Sequence, residues 1–121
     1  MNFEHQHQKA VMQWANFQIG RYPELGLLFA IPNGGARDPR TGAKLKAEGV
    51  KAGVPDLCLP VARGGFHALY LELKQGKNKA TPEQTWWLES LRAQGNAAFV
   101  VVGWEEAATR LGDYLEGRIK C

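Results

Sequence analysis

The sequence of 121 residues predicts an α/β fold in which helices cover both faces of a mixed four-stranded sheet. Apolar residues recur at helical spacing near the amino terminus, and four short apolar runs are each bounded by glycine, proline or polar residues. A helix-capping signal separates the third of these runs from the fourth. Together these observations predict the order α-β-loop-β-β-α-β-α within a single domain.

The first third of the chain is predicted to hold one long helix and one strand. Residues 3–19 form the helix, because most of their apolar members fall near one face. Residues 27–31 are predicted to be a short buried strand, which the turn residues 32–35 end. A polar stretch from 36 to 53 follows, with one or two helical turns expected near residues 43–48.

Two strands near the middle of the chain are predicted to form a hairpin. Residues 56–61 and 67–74 are largely apolar runs, and Gly64-Gly65 supplies the turn between them. Such a turn brings Asp56, at the start of the first strand, level with Glu72, near the end of the second.

A capped helix, a strand and a last helix are predicted after residue 80. Thr81 suits the N-cap position and Gln84 can close a capping box, so these residues open a helix that ends near Gly95. Residues 97–102 are all apolar and are predicted to form a fully buried strand. Residues 104–116 are predicted to form the last helix.

Composition and charge narrow the class of protein. The content of 45% hydrophobic and 22% charged residues is ordinary for a globular domain, and the net charge of +3 permits a nucleic-acid partner. Cys58 and Cys121 have no metal-site or redox spacing, and we expect Cys58 to be a small buried hydrophobe. No signal peptide and no apolar stretch of membrane-spanning length are recognisable, which favours a cytoplasmic protein.

Two carboxylates and a lysine are predicted to converge at one edge of the sheet. Side chains alternate along a strand, so Lys74 shares a face with Glu72, which lies level with Asp56 across the hairpin. Mg²⁺ prefers oxygen ligands and takes one or two carboxylates together with water and substrate phosphate. The sequence therefore predicts a divalent metal site, with the Leu73 carbonyl as a further ligand and Lys74 beside the attacking water or the scissile phosphate.

Basic residues flank this predicted site on both sides, and their clustering favours contacts with phosphate over an ordinary solvated surface. Asn33-Gly34 is either a simple turn or a place where glycine lets the backbone approach phosphate closely. The basic residues are Arg37, Arg40, Lys44, Lys46 and Lys51 before Asp56, and Lys77 and Lys79 after Lys74.

These motifs resemble the PD-(D/E)xK nuclease superfamily and, within it, the VRR-NUC (virus-type replication-repair nuclease) family. The resemblance covers about residues 3 to 103 and depends on the order and spacing of its motifs. The motifs are Glu4 followed by Gln8 on the first helix, then Ile31-Pro32-Asn33-Gly34-Gly35, Gly53-Val54-Pro55-Asp56-Leu57, Glu72-Leu73-Lys74, and Gln84 on the next helix.

The resemblance implies a restriction-endonuclease-like core that cleaves phosphodiester bonds in DNA with Mg²⁺ or Mn²⁺, leaving a 3′-hydroxyl and a 5′-phosphate. It implies that Asp56 and Glu72 bind the metal, that Lys74 is the catalytic lysine and that Gln84 supports the site. Glu4 would reach the metal directly or through water. A chain with this domain alone is similar to stand-alone phage and bacterial members, which resemble Holliday-junction resolvases in acting as homodimers.

Several alternatives stay open at this stage. The domain could bind branched or single-stranded nucleic acid without cutting it, or act as an accessory protein through a dimer surface that includes Trp86 or Trp87. RNA is an alternative substrate within the nuclease class. Glu4 could be only a first-turn acid favoured by the helix dipole, and the capping box alone would account for Gln84.

Overall fold

The structure is a computed structural model that describes residues 3–32 and 39–120. The fold of these residues is built on one mixed β-sheet. Its strands are β1 (Phe29–Ala30), β2 (Leu57–Leu59), β3 (Leu69–Lys74) and β4 (Ala97–Val102), in the spatial order β1-β2-β3-β4. The first two pairings are antiparallel, and β3 pairs with β4 in parallel. The predicted mixed α/β sheet is therefore confirmed.

Helices lie on both sides of this sheet, as predicted. They are α1 (Phe3–Phe17), α2 (Pro39–Ala47), α3 (Pro82–Ala93) and α4 (Gly103–Leu115), and a 3-10 turn (Pro23–Leu27) precedes β1. The expected helical turns at 43–48 belong to a nine-residue helix that begins earlier, at Pro39. Among the described residues, no helix combines the length and the apolar character needed to cross a bilayer.

Alternation along β3 separates the hydrophobic core from the charged residues. Leu69, Leu71 and Leu73 belong to the main core, which includes residues of α1 and α4 such as Val11 and Leu111. Burying each of these leucines contributes roughly 1.5–3 kcal/mol, so the core favours a single register of the strand. Glu72 and Lys74 consequently occupy the opposite face, on which α3 lies.

The two edge strands are less buried than the sequence predicted. The prediction of a buried strand over residues 27–31 is wrong, because β1 has only two residues and Phe29 is 48% exposed at the edge of the sheet. The prediction that β4 is fully buried is also wrong, since Phe99 and Val100 are half-buried and Val102 is 44% exposed. Cys58, in the inner strand β2, is buried as expected.

A tight turn sets the register of the central hairpin. Arg63 and Phe66 exchange backbone hydrogen bonds across Gly64 (φ +59°) and Gly65 (φ +94°). Positive φ at both central residues is what a type I′ hairpin turn requires. The turn leads to a ladder in which Leu57 pairs with Leu71, as the sequence predicted.

The carboxyl-terminal segment, residues 117–120, packs against the Gly64-Gly65 turn. Gly117 (φ +74°) follows the end of α4, and Ile119 then packs against the main core. A Cβ atom on Gly64 would lie only 2.2 Å from the carbonyl oxygen of Ile119. The turn and the segment therefore fit together only because residue 64 has no side chain.

Candidate active site

Asp56 and Glu72 meet where the β2–β3 ladder ends. One step beyond the pair Leu57–Leu71, the same register sets Asp56 opposite Glu72. Asp56 Oδ2 accepts a hydrogen bond of 2.7 Å from the backbone N–H of Leu73, which holds the carboxylate against β3. The structure thus brings together the two carboxylates that the sequence predicted to lie close to each other.

Both carboxyl groups have raised pKa values. Burial raises the pKa of Glu72 to about 9, assisted by the charge of Asp56 and a hydrogen bond with it. Burial is also the largest cause that raises the pKa of Asp56, and the Leu73 N–H opposes it. Because Glu72 is only 2% exposed, water cannot solvate its negative charge, so a proton or a cation must compensate for that charge.

Lys74 and Gln84 approach the same oxygen of Glu72. Lys74 is 7% exposed, and its Nζ lies 3.9 Å from Glu72 Oε2. Gln84 Nε2 donates a hydrogen bond of 3.2 Å to that oxygen. Among the described residues, Glu72 Oε1 is a buried side-chain oxygen with no hydrogen-bond partner, which leaves it open to a ligand.

The capping box of α3 orients the Gln84 side chain. Gln84 Oε1 accepts a hydrogen bond of 2.9 Å from the Thr81 N–H, and Thr81 Oγ1 accepts one of 3.2 Å from the Gln84 N–H. With the amide oxygen committed to the cap, the amide nitrogen points to Glu72. The predicted capping box is confirmed, and the same side chain also contacts Glu72.

Glu4, at the start of α1, lies within electrostatic range of this pair. Its negative charge contributes to raising the pKa of both Asp56 and Glu72, although burial is the largest cause for each. A third carboxylate near the buried Glu72 and the half-buried Asp56 adds repulsion that a cation would relieve.

The donor set fits a hard divalent cation. Among residues 3–32 and 39–120, no group of three or more His, Cys, Asp or Glu side chains is gathered as a metal site, but Mg²⁺ needs only one or two protein carboxylates. Asp56 and Glu72 supply two carboxylates, and the unpartnered Glu72 Oε1 is an oxygen that such a cation could bind.

The basic residues before Asp56 lie on an exposed helix and loop. Arg40, Lys44 and Lys46 are exposed on α2, which has no fully buried residue among those described, and Lys51 is exposed in the following loop. Lys77 and Lys79 are exposed after β3. Asn33, Gly34 and Arg37 lie outside the described residues.

Sequence reasoning missed the contact between the loop before Asp56 and helix α3. Trp87 Nε1 donates a hydrogen bond of 3.2 Å to the Ala52 carbonyl, and Gly53 packs closely against the first turn of the helix. Gly53, within the motif before Asp56, was the available signal, since a close approach of two backbones favours a residue without a side chain.

Comparison with known proteins identifies the family. The sequence matches the VRR-NUC domain family over residues 2–104. A solved structure described as a VRR_NUC domain protein is 30% identical, with a TM-score of 0.80 over 97% of this chain and 91% of that chain. A comparison with curated proteins found no match. Sequence and fold together show that this chain belongs to the VRR-NUC domain family, a family of nucleases.

Proposed function

We propose that this chain is a Mg²⁺- or Mn²⁺-dependent endonuclease that hydrolyses phosphodiester bonds in DNA. The observation that carries the proposal is the burial of Glu72 and Lys74 beside Asp56, where the ladder of the two inner strands β2 and β3 ends. Burying ionisable groups is unfavourable, and such clusters with shifted pKa values concentrate at functional sites.

Each residue of the candidate site has a proposed role. Asp56, Glu72 and the Leu73 carbonyl hold the cation, and Glu4 reaches it directly or through water. A divalent cation held there supplies Lewis-acid charge near the scissile phosphate. Lys74 donates hydrogen bonds to the attacking water or to the phosphate, and Gln84 fixes the Glu72 carboxylate from α3.

Cleavage assays with and without Lys74 test this proposal. We expect wild-type protein to cut labelled DNA with Mg²⁺ or Mn²⁺ but not with EDTA, and Lys74→Ala to lower the rate by about 10²-fold or more, because the reacting groups lose a positioned cationic donor. Linear duplex, flap and four-way-junction substrates in the same assay test whether the enzyme selects branched DNA. Binding of every DNA without cutting would instead favour a non-catalytic binding module.

We further propose that helix α2 and the loop after it contact the DNA backbone. The basic side chains on this segment are exposed and adjoin the loop that leads to Asp56. Lysine at such positions binds phosphate and releases counterions, so it contributes affinity that decreases with salt. Lys77 and Lys79 extend the same basic surface beyond β3.

Replacing Lys44 and Lys46 together by alanine is expected to weaken DNA binding at low salt. Each phosphate that the variant no longer neutralises should reduce the slope of log K against log salt by about 0.9 for duplex DNA. Fluorescence anisotropy at several salt concentrations, with Ca²⁺ in place of Mg²⁺, measures both quantities. Lys120→Ala is the matched control. Lys120 is also an exposed lysine, but it lies beside the Gly64 turn, at the opposite end of the central hairpin from Asp56. An unchanged slope in the double variant would show that α2 is only a solvated surface.

A further inference from the structure

The loop before β2 and the first turns of α3 form a close contact, which we call the loop–helix clamp and define as Ala52, Gly53, Glu83 and Trp87. We infer that Trp87 and Gly53 are positioning residues of the nuclease site, acting through Asp56 and Gln84. This inference rests on the proposed function, and it assigns a role to residues that do not themselves touch the carboxylates.

Trp87 supplies the polar half of the clamp. Its indole Nε1 donates a hydrogen bond of 3.2 Å to the Ala52 carbonyl, and its side chain is half-buried. Trp86 meets the Trp87 ring edge-on, with centroids 5.4 Å apart, but is itself 62% exposed. Adjacent residues of one helix thus have different environments, and only Trp87 ties the helix to the loop through a hydrogen bond.

Gly53 supplies the close approach. It has φ +88°, and a Cβ atom there would lie 3.0 Å from Glu83 Cβ and 3.1 Å from both the Glu83 carbonyl carbon and Trp87 Cδ1. Two of these three atoms belong to the first turn of the helix, so a side chain at residue 53 would require the loop and the helix to move apart by a few tenths of an ångström. Gly49 has a comparable φ of +105°, but a Cβ atom there meets nothing within 4 Å.

The clamp joins the two elements that carry the site residues. Gly53 is three residues before Asp56, and Glu83 directly precedes Gln84. Asp56 binds the backbone of β3 through the Leu73 N–H, while Gln84 binds Glu72 of the same strand. The loop and the helix therefore approach one strand from two directions, and the clamp fixes their separation.

The clamp also lies between helix α2 and the site. Helix α2 ends in a turn in which the Val50 N–H donates a hydrogen bond of 2.9 Å to the Leu45 carbonyl, and Ala52 follows two residues later. Helix α2 has no fully buried residue among those described, and this short connection joins it to the clamp. The clamp contains none of the exposed basic side chains, so a loosened clamp is expected to change the geometry of the site while leaving those side chains on the surface.

Paired tryptophan variants test the inference. We expect Trp87→Phe to lower kcat by about 10- to 100-fold, because a displacement near 1 Å at reacting groups has costs of this size. The Kd for DNA with Ca²⁺ should stay within about twofold of wild type, since the variant removes no group that binds phosphate. Trp86→Phe is the matched control and should leave both quantities unchanged. Urea unfolding checks that both variants are folded at the assay temperature.

Hydrogen exchange provides a readout that needs neither metal nor catalysis. The Leu73 N–H is protected by Asp56 Oδ2, so its exchange rate in the metal-free protein reports whether Asp56 stays in place. We expect faster exchange at Leu73 in Trp87→Phe than in Trp86→Phe, and in Gly53→Ala than in Gly49→Ala. Gly53→Ala and Gly49→Ala introduce similar backbone strain, but only the side chain at residue 53 would also meet α3.

The outcomes separate the clamp from the proposed function. Wild-type protein that cuts no DNA would overturn the nuclease proposal, while Leu73 exchange would still decide whether the clamp positions Asp56. Active wild-type protein with equal kcat and equal Leu73 exchange in Trp87→Phe and Trp86→Phe would overturn the clamp alone. A parallel fall of kcat and stability in both tryptophan variants would likewise contradict a positioning role.

Discussion

Glu72→Gln is expected to abolish metal-dependent cleavage and to raise the free energy of unfolding of the metal-free protein at neutral pH. The amide keeps the size of the side chain, and its oxygen can still accept the hydrogen bond that Gln84 Nε2 donates to Glu72 Oε2. It cannot carry the negative charge that we propose to hold the cation. The cleavage rate should therefore fall by about 10²-fold or more.

The gain in stability follows from the raised pKa of Glu72. Below pH 4.5, the ordinary pKa of glutamate, the carboxyl is protonated in both folded and unfolded chains, and the substitution has little electrostatic effect. Between pH 4.5 and about 9 the unfolded chain loses this proton while the folded chain keeps it, so wild-type stability falls as the pH rises. One proton accounts for at most about 1.4 kcal/mol per pH unit.

Urea unfolding at pH 5 and pH 8 in EDTA measures this effect. We expect the stability difference between Glu72→Gln and wild type to be larger at pH 8 than at pH 5. Glu89→Gln, which removes an exposed carboxylate from α3, is the matched control and should show no such trend. Wild-type cleavage rates in Glu72→Gln would remove Glu72 from the proposed machinery, and equal differences at the two pH values would contradict its burial as a protonated acid.

Gly64→Ala is expected to destabilise the fold strongly, and by more than the same substitution at Gly76. The left-handed conformation at φ +59° costs an alanine about 1–2 kcal/mol, and the new Cβ would lie 2.2 Å from the Ile119 carbonyl oxygen. Overpacking of this kind typically costs a further ~1–3 kcal/mol. The carboxyl-terminal segment must move, and Ile119 then packs less well against the core.

Gly76→Ala separates the two contributions. Gly76 has φ +64°, but a Cβ atom there meets nothing within 4 Å, so this variant reports the backbone cost alone. Urea unfolding of both variants gives the difference due to the Ile119 contact. Equal losses of stability in Gly64→Ala and Gly76→Ala would mean that the carboxyl-terminal segment moves away from residue 64 without a cost in free energy. Because Gly64 lies at the opposite end of the hairpin from Asp56, cleavage per folded Gly64→Ala molecule should match wild type.

The central hairpin and the capping box were the parts of the fold that local signals predicted best. Gly64-Gly65 and the alternation along β3 predict one register, and that register sets Asp56 opposite Glu72. The pattern of Thr81 and Gln84 likewise specifies a helix start through contacts only three residues apart. The residues involved are close in sequence or related by a single turn, so no distant contact had to be known.

Burial at the sheet edges and the loop–helix clamp depended on distant contacts. An apolar run has the same sequence pattern at an edge as in the centre of a sheet, which is why the exposure of Phe29 and Val102 was not predicted. The hydrogen bond between Trp87 and Ala52 joins residues 35 positions apart, and no periodicity indicates it. Helix α2 is polar and has no fully buried described residue, so its length left only a weak signal.

The double use of the Gln84 amide limits how this protein can be engineered. Standard rules for strengthening the first turn of a helix favour glutamate at this position, because it completes a capping box and suits the positive end of the dipole. Glutamate would keep the bond from the Thr81 N–H but has no N–H to donate to Glu72, and it would add a negative charge beside the buried Glu72 carboxylate. Asparagine is one methylene too short to imitate both contacts. A redesign guided by stability alone would therefore replace the side chain on which both the helix start and the carboxylate geometry depend.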